Sequence, residues 1–447
     1  MVRKLTEGPP FKVIVSFAIP MILGNVFQQF YNIVDSIIVG RLLGPSALAA
    51  VGNSFAIMVL LTSILYGLCM GAGTIFSHFF GAKKFEDLKI SISTSFLFIG
   101  VVALLIMALS LIFIDAIIAF MNVPAEVIAQ NKIYLQIVFS GMVFVFLWNW
   151  SAGLLRALGN SKVPLFFLIG GTLLNVVLDL LFIIVFGWGV AGAAIATVIS
   201  QGLAAICCLL YCMKKIEFLQ FKIKEIRFDK KIFKLTVNYS LLTSVQQSVM
   251  NFGILMIQSL VNSFGTQIMA AFAAAVKIDA FAYLPMQDYG NAFSTYIAQN
   301  KGAKEEKRIA QGMKISFTIV ALTGLVISAI IWIFAEQFMT LFVGTTEREV
   351  IAIGAKYLRI EGAFYFLIGF LFLFYGIYRG LGKVRMSIVL TVISLGTRVL
   401  LAYMLAPHFG LNSIWWAIVV GWALADITGA VYYVKTEKKR NGVGDSA

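Results

Sequence analysis

The sequence predicts an all-α integral membrane protein, with twelve transmembrane helices in two six-helix lobes related by a parallel pseudo-two-fold repeat. Three observations predict it. Of 447 residues, 60% are apolar and 13% charged, with a mean hydropathy of +0.93. A soluble domain carries about 25% charged residues, and half that leaves too little polar surface to wrap a core in water. The apolar residues gather into long runs, and short motifs recur at one offset along the chain.

A bilayer core about 30 Å thick needs about 20 apolar residues as helix. Twelve runs qualify: 12–40, 48–79, 90–117, 129–155, 163–186, 191–213, 233–262, 268–299, 313–340, 350–379, 386–406 and 413–434. None alternates with period two. In lipid only helices and closed barrels satisfy every backbone group, so the runs read as helices. Several exceed the bilayer and are expected to tilt or protrude. The first apolar run, Phe11 to Gly40, is too long for the apolar region of a signal peptide and ends without a small-residue cleavage pattern.

Lys and Arg orient the spans. With the N-terminus inside, the even-numbered connections return to that side. The N-terminus carries Arg3, Lys4 and Lys12; the second loop Lys83, Lys84 and Lys89; the fourth Arg156 and Lys162. The sixth, the most basic, has Lys214, Lys215, Lys222, Lys224, Arg227, Lys230, Lys231 and Lys234. The eighth has Lys301, Lys304, Lys307, Arg308 and Lys314; the tenth Arg379, Lys383 and Arg385; the tail Lys435, Lys438, Lys439 and Arg440. That side takes 28 of the 35 basic residues, so both termini are expected in the cytoplasm. The formal net charge of +14 is thereby explained by the membrane, and no nucleic-acid partner is expected.

The motifs repeat in order. Phe79-Phe80-Gly81-Ala82-Lys83-Lys84 follows span two, and Asn300-Lys301-Gly302-Ala303-Lys304-Glu305 follows span eight. Leu155-Arg156-Ala157-Leu158-Gly159 after span four matches Tyr378-Arg379-Gly380-Leu381-Gly382 after span ten, and Phe186-Gly187 matches Phe409-Gly410. The offset stays at 221–223 residues. Six spans is an even number, so the halves share an orientation and enclose a central cleft, and rocking them gives alternating access. The expected divisions are 1–213 (N-terminal lobe), 214–232 (basic cytoplasmic linker), 233–434 (C-terminal lobe) and 435–447 (cytoplasmic tail).

A charge at bilayer depth costs about 2.5–3.5 kcal/mol on insertion scales and marks a functional site by default. Gln28, Tyr31, Asn32 and Asp35 share one face of span one at spacings of three, four and seven. Asn175 and Asp179 share a face of span five. Asn149, between Trp148 and Trp150, and Thr197 extend a polar pocket. The second half differs chemically: opposite Asp35 stand Leu255 or Met256, and its polar residues are Gln246, Gln247, Asn251, Lys277, Asp279, Gln287, Asp288, Glu361 and Arg398. There Lys277 with Asp279, or Asp288 with Arg398, would neutralise one another. Pro20 removes one backbone hydrogen bond of span one and sets a kink there. Cys69, Cys207, Cys208 and Cys212 lie inside apolar spans and read as packing residues. With two histidines, His78 and His408, no metal site is expected.

These residues carry a resemblance. The run Asn32-Ile33-Val34-Asp35-Ser36, then Gly40-Arg41, Gly44 and Ala47 to Gly52, resembles the opening of the multidrug and toxic compound extrusion (MATE) family. Gly81-Ala82-Lys83, Leu155-Arg156-Ala157-Leu158-Gly159-Asn160 and Asn300-Lys301-Gly302-Ala303-Lys304 are similar to its loop signatures. The resemblance covers nearly the whole chain and is closest to the prokaryotic branch related to DNA-damage-inducible protein F. It implies a two-lobed antiporter in the cytoplasmic membrane, driven by protons or sodium, that exports cationic, often aromatic drugs. It implies a first-lobe cation site of Asp35, Asn175, Asp179, Asn149 and Thr197, with Pro20 at the corresponding place in helix one. Another branch carries acids in helices seven and ten; here those regions offer Gln246 and Gln247, and an apolar stretch around Ile368.

The expected protein is therefore a transporter, not an enzyme. It is expected to be a monomer among membrane lipids, with no cofactor beyond the transported ion. Phe27, Gln28, Tyr31, Asn32, Trp148 and Trp150 are the expected drug contacts, because an apolar, aromatic cleft with few acids suits flat cations. Gln246, Gln247, Asp279, Asp288 and Arg398 are the second-lobe candidates. The alternative is a lipid-linked saccharide flippase of the same superfamily, whose cleft would need basic residues for phosphate.

Overall fold

The computed structural model describes residues 4–121, 123–216 and 229–441. Most of the expected basic linker, with Lys222, Lys224 and Arg227, lies outside the described residues, as do Arg3 and the last six residues of the tail. The described residues form helices and no strand.

In the first half the helices are α1 (Pro10–Leu43), α2 (Pro45–Gly81), α3 (Phe85–Ile112), a short α4 (Ile114–Phe120), α5 (Ile128–Ser140), α6 (Met142–Ala157), α7 (Lys162–Leu180) and α8 (Gly189–Lys215). The second half holds α9 (Lys230–Asn262), α10 (Thr266–Gly302), α11 (Glu306–Val343), α12 (Arg348–Gly362), α13 (Tyr365–Gly380), α14 (Val384–Phe409) and α15 (Leu411–Asn441). Nine of these are long and apolar enough to cross a bilayer alone. Two broken pairs, α5 with α6 and α12 with α13, bend by 44° and 53° and supply two more spans. The twelfth is α9, equally long but diluted by Lys234, Gln246, Gln247 and Asn251. Side chains such as Leu97, Leu173, Leu322 and Leu400 are 60–64% exposed on the outer faces, as a lipid solvent requires.

The repeat is written into the backbone. The two broken spans bend at Gly141 and at Ala363, at the offset of the sequence motifs. Both α2 and α10 end on a lysine in the left-handed region, Lys83 at φ 56° and Lys304 at φ 61°. In each case the following residue closes a six-to-one hydrogen bond, Lys84 N to Phe79 O and Glu305 N to Asn300 O, which satisfies a terminal carbonyl. The same cap ends α6 at Gly159 (φ 82°) and α13 at Gly382 (φ 83°), where glycine takes the conformation without a Cβ penalty. Thus the Gly-Ala-Lys and Leu-Gly motifs are helix stops.

Contacts group the chain into two units, Met1–Ser248 with Ala298–Glu305, and Val249–Ile297 with Glu306–Ala447. The first unit gathers the start of α9 and the end of α10 onto α1–α8. Gly67 and Gly71 of α2 leave no room for a Cβ against the backbone of Ser244 and Tyr239. The buried hydroxyls of Ser91 and Thr236 bond at 2.9 Å, and Ser244 donates to Ile64 O at 3.1 Å. At the same end Gln299 accepts from Leu5 N at 2.9 Å and donates to Ala157 O at 2.7 Å, while Asn300 donates to Leu5 O. A Cβ at Gly81 would overlap the Gln299 carbonyl. In the second unit α13 lies close on α10, with Gly376 against the Gly290 carbonyl. Arg379, counted among the loop cations, is in fact buried (3% exposed) and donates to Ser294 Oγ and Asn291 Oδ1.

Candidate functional site

The first-lobe site is built on α1 and α7. Gly24 of α1 lets α7 approach, since a Cβ there would lie 3.3 Å from Leu168. The two helices run in the same direction, and both rise about 1.5 Å per residue, so they stay in register. Eleven residues beyond Gly24 comes Asp35; eleven beyond Leu168 comes Asp179. Their carboxyls lie within hydrogen-bonding reach of one another. Asp179 is fully buried and Asn175, one turn before it, is 1% exposed. Asp35 Oδ1, both Asp179 oxygens and both polar atoms of the Asn175 amide have no donor or acceptor in hydrogen-bond geometry. Two carboxylates bring no proton donor to each other, so the pair is satisfied only when one carboxyl is protonated or a cation sits between them.

The surroundings close the site. Tyr31, one turn before Asp35, lies close enough to Thr197 of α8 and to both acids to interact with all three. Thr197 donates in turn to Ala193 O at 3.0 Å. Tyr134 of α5 also faces both acids. One turn before it, the buried amide of Asn131 donates to Ala50 O and Ser54 Oγ of α2 at 2.8 and 3.0 Å. Immediately after Asp179 the helix widens into a π turn, Leu181–Val185, closed by Phe186 N to Leu181 O at 3.1 Å. Such turns recur at functional sites. Ile183 of this turn packs with Val39, Ala47, Val190 and Ala193, an apolar cluster one turn beyond the acids.

The structure brings together Asp35, Asp179, Asn175, Tyr31 and Thr197. It turns Asn149 back on its own helix, donating to Val145 O at 2.8 Å. Gln28 donates to Asn32 at 3.3 Å, and Phe27 is 45% exposed. Trp148 is partly buried against the first-lobe core. Trp150, expected as a cleft wall, is a core residue instead: it is 3% exposed, stands edge-on to Phe96 at 4.9 Å and donates to Ser95 Oγ at 3.1 Å. Pro20 is buried inside α1, which is continuous across it. Tyr134 was not legible, because a tyrosine near the end of a span reads as an interfacial anchor.

The second lobe has its own buried cluster. Arg398 of α14 lies near enough to Asp279 of α10 and Glu361 of α12 to act on both electrostatically, whereas neither expected pairing, Lys277 with Asp279 or Asp288 with Arg398, forms an ion-pair contact among the described residues. Lys277 itself is exposed. Gln246 (1% exposed) and Gln247 (8%) lie in the part of α9 that packs with the first unit. Asp288 is 8% exposed on α10.

Twelve spans in two repeated halves, with acids sequestered at bilayer depth, define a multi-pass membrane transporter. The chain belongs to the MatE family: the family model matches residues 20–181 and again 241–404, so the repeat appears as two copies of one domain. It is similar to the probable multidrug resistance protein YpnP of Bacillus subtilis, 31% identical over 87% of this chain and 86% of that one. The multidrug export protein MepA of Staphylococcus aureus is 24% identical over 94% and 92%. A solved structure, described as the outward-facing conformation of a multidrug resistance MATE family transporter of the MOP superfamily, superposes with a TM-score of 0.90 at 25% identity, covering 96% of each chain.

Proposed function

We propose that this protein is a cation-coupled antiporter that exports organic, often aromatic cations by alternating access. The coupling ion is a proton or sodium, and no cofactor takes part. The single observation that carries this reading is the meeting of Asp35 and Asp179 in a pocket whose buried oxygens lack donors. Such a pair needs positive charge. A proton, a sodium ion and a cationic drug all supply it, so they compete. Loading the ion from outside helps release drug outward; losing the ion inside readies the site for the next drug. One pH unit supplies about 1.4 kcal/mol per proton, and 100 mV adds about 2.3 kcal/mol for each net charge moved. Exchange of one monovalent drug for one proton moves no net charge, so only the pH term drives it.

The names of the relatives, a multidrug resistance protein and a multidrug export protein, support drug efflux. The basic even-numbered connections support a place in the cytoplasmic membrane with both termini inside. Nothing in transport by this route requires bond cleavage, and the protein is read as a transporter rather than an enzyme, working as a monomer among lipids.

The test is efflux of ethidium from proteoliposomes under an imposed pH gradient and, separately, a sodium gradient. Efflux driven by one gradient and lost in Asp35→Asn names the coupling ion. Normal efflux by Asp35→Asn defeats the assignment. Movement of a labelled lipid-linked sugar, with no gradient-driven movement of ethidium, puts a saccharide flippase in its place.

A further inference from the structure

In the second lobe two buried acids and one arginine gather where the efflux mechanism above uses none of them. Asp279 is 7% exposed and Glu361 2%, with Arg398 half-buried beside them. Tyr283 of α10, Tyr357 of α12 and Tyr365 of α13 all face the two acids. These three tyrosines, the two acids and the arginine are the titratable groups that α10, α12, α13 and α14 turn toward the cluster. Around it Phe272, Tyr357 and Trp415 pack ring on ring at 4.8–5.4 Å, an apolar and rigid wall.

The charges do not balance. Two carboxylates and one guanidinium leave one negative charge, and an uncompensated buried charge is strongly unfavourable. The polar atoms also have vacancies: Asp279 Oδ1, Glu361 Oε2 and Arg398 Nε lack partners in hydrogen-bond geometry. Tyr365 points to the same conclusion independently. Its hydroxyl belongs to a fully buried side chain, faces Asp279, and has no acceptor in hydrogen-bond geometry.

We propose that the Asp279–Glu361–Arg398 cluster is a second ion-binding site, selective for one proton, in the second lobe. The proton sits on one of the two carboxyls and makes the cluster electroneutral. Sodium is excluded on chemical grounds. A hard cation needs several oxygen acceptors. Here the guanidinium has donors but no acceptor to offer, and the fixed charge of Arg398 repels a metal ion.

Infrared titration of the full-length protein tests this without any transported drug. The carboxylic C=O stretch is followed against pH in the Asp35→Asn/Asp179→Asn double variant, which silences the first-lobe pair. A titrating carboxylic band is expected to persist there, to lose one component on adding Glu361→Gln, and to be unchanged when potassium buffer is replaced by sodium. The buried Asp426 contributes a component that Glu361→Gln leaves in place. Tyr365→Phe should retain the band at a shifted frequency. If Glu361→Gln does not purify as a monodisperse protein, Glu361→Asp must keep the component with a displaced midpoint. A band that Glu361→Gln or Glu361→Asp leaves untouched overturns the proposal. So does one that sodium abolishes, because that would mark a metal site. The efflux reading stands or falls separately, on Asp35→Asn.

Discussion

At one position of the repeat the first lobe has Asn175 and the second has Arg398, 223 residues later. Each stands beside a pair of acids, half-buried Asp35 with buried Asp179 in one case and buried Asp279 with Glu361 in the other. With a neutral amide, the first pair has no fixed counter-ion, and on the proposed mechanism a mobile cation takes that place. With a guanidinium, the second pair carries a built-in counter-ion, and only one negative charge is left to satisfy. The same scaffold thus offers two grades of cation demand, and one side chain on the eleventh or fifth span sets which. Swapping that side chain is the most direct way to break the comparison. Asn175→Arg installs a permanent cation beside Asp35 and Asp179. Ethidium efflux is expected to fall to the level of protein-free liposomes, while the protein still purifies as a monodisperse species. Persisting gradient-driven efflux would mean that Asp35 and Asp179 do not carry the exchange.

The reverse swap, Arg398→Asn, strips the counter-ion from the second lobe. Removing one partner of a fully formed buried ion pair destabilises by about 3–5 kcal/mol, an upper bound for this half-buried arginine. The detergent-solubilised protein should therefore unfold at lower temperature at neutral pH, and acidification should restore much of the loss, because protonated Asp279 and Glu361 need no cation. Equal loss at acid and neutral pH would make Arg398 a packing residue and remove the electrostatic half of the comparison.

How far this was visible in the sequence follows from which signals are local. Apolar runs, positive loops and the motif offset are one-dimensional, so the twelve spans and the repeat could be read directly; even Gly141 and Ala363 bend at the repeat offset. Asn175 and Asp179 were legible because one helical turn joins them. Their meeting with Asp35 rests on the close approach at Gly24, which no pattern along the chain announces. Trp150 was misplaced because a tryptophan beside a polar residue looks the same whether it lines a cleft or packs on Phe96. Glu361 was seen, but its partners come from three other helices. The π turn after Asp179 has no sequence signature at all.

A milder change separates the ends of the molecule from its buried acids. Gly81 sits where a Cβ would overlap the Gln299 carbonyl, close to where Gln299 and Asn300 hold the backbone of Leu5. Gly81→Ala should destabilise by about 1–3 kcal/mol, the usual penalty of overpacking, read as a lower unfolding temperature at every pH. An effect that varied with pH or sodium would tie this end to the ion sites and blur the division drawn between them.

The smallest expected effect refines the first-lobe site itself. Tyr134 lies near the acids on α5, a helix that carries none of the predicted ligands, and Asn131, one turn before it, makes two bonds to α2. Its hydroxyl is a donor that a carboxylate pair short of donors can use. Tyr134→Phe removes that donor and leaves the ring, so the packing stays. A single hydrogen bond to a charged group contributes about 1.5–3 kcal/mol, and less where the partner alternates between protonated and ionised forms. The expected result is a change of several-fold in the gradient needed for half-maximal efflux, with the maximal rate nearly intact. The second lobe supplies the control. Tyr283→Phe alters a hydroxyl that faces the second-lobe acids, outside the pair proposed to carry the exchange, and it should leave that gradient dependence unmoved. If the two variants behave alike, the lobes are not divided by their counter-ion, and the tyrosines matter only as packing.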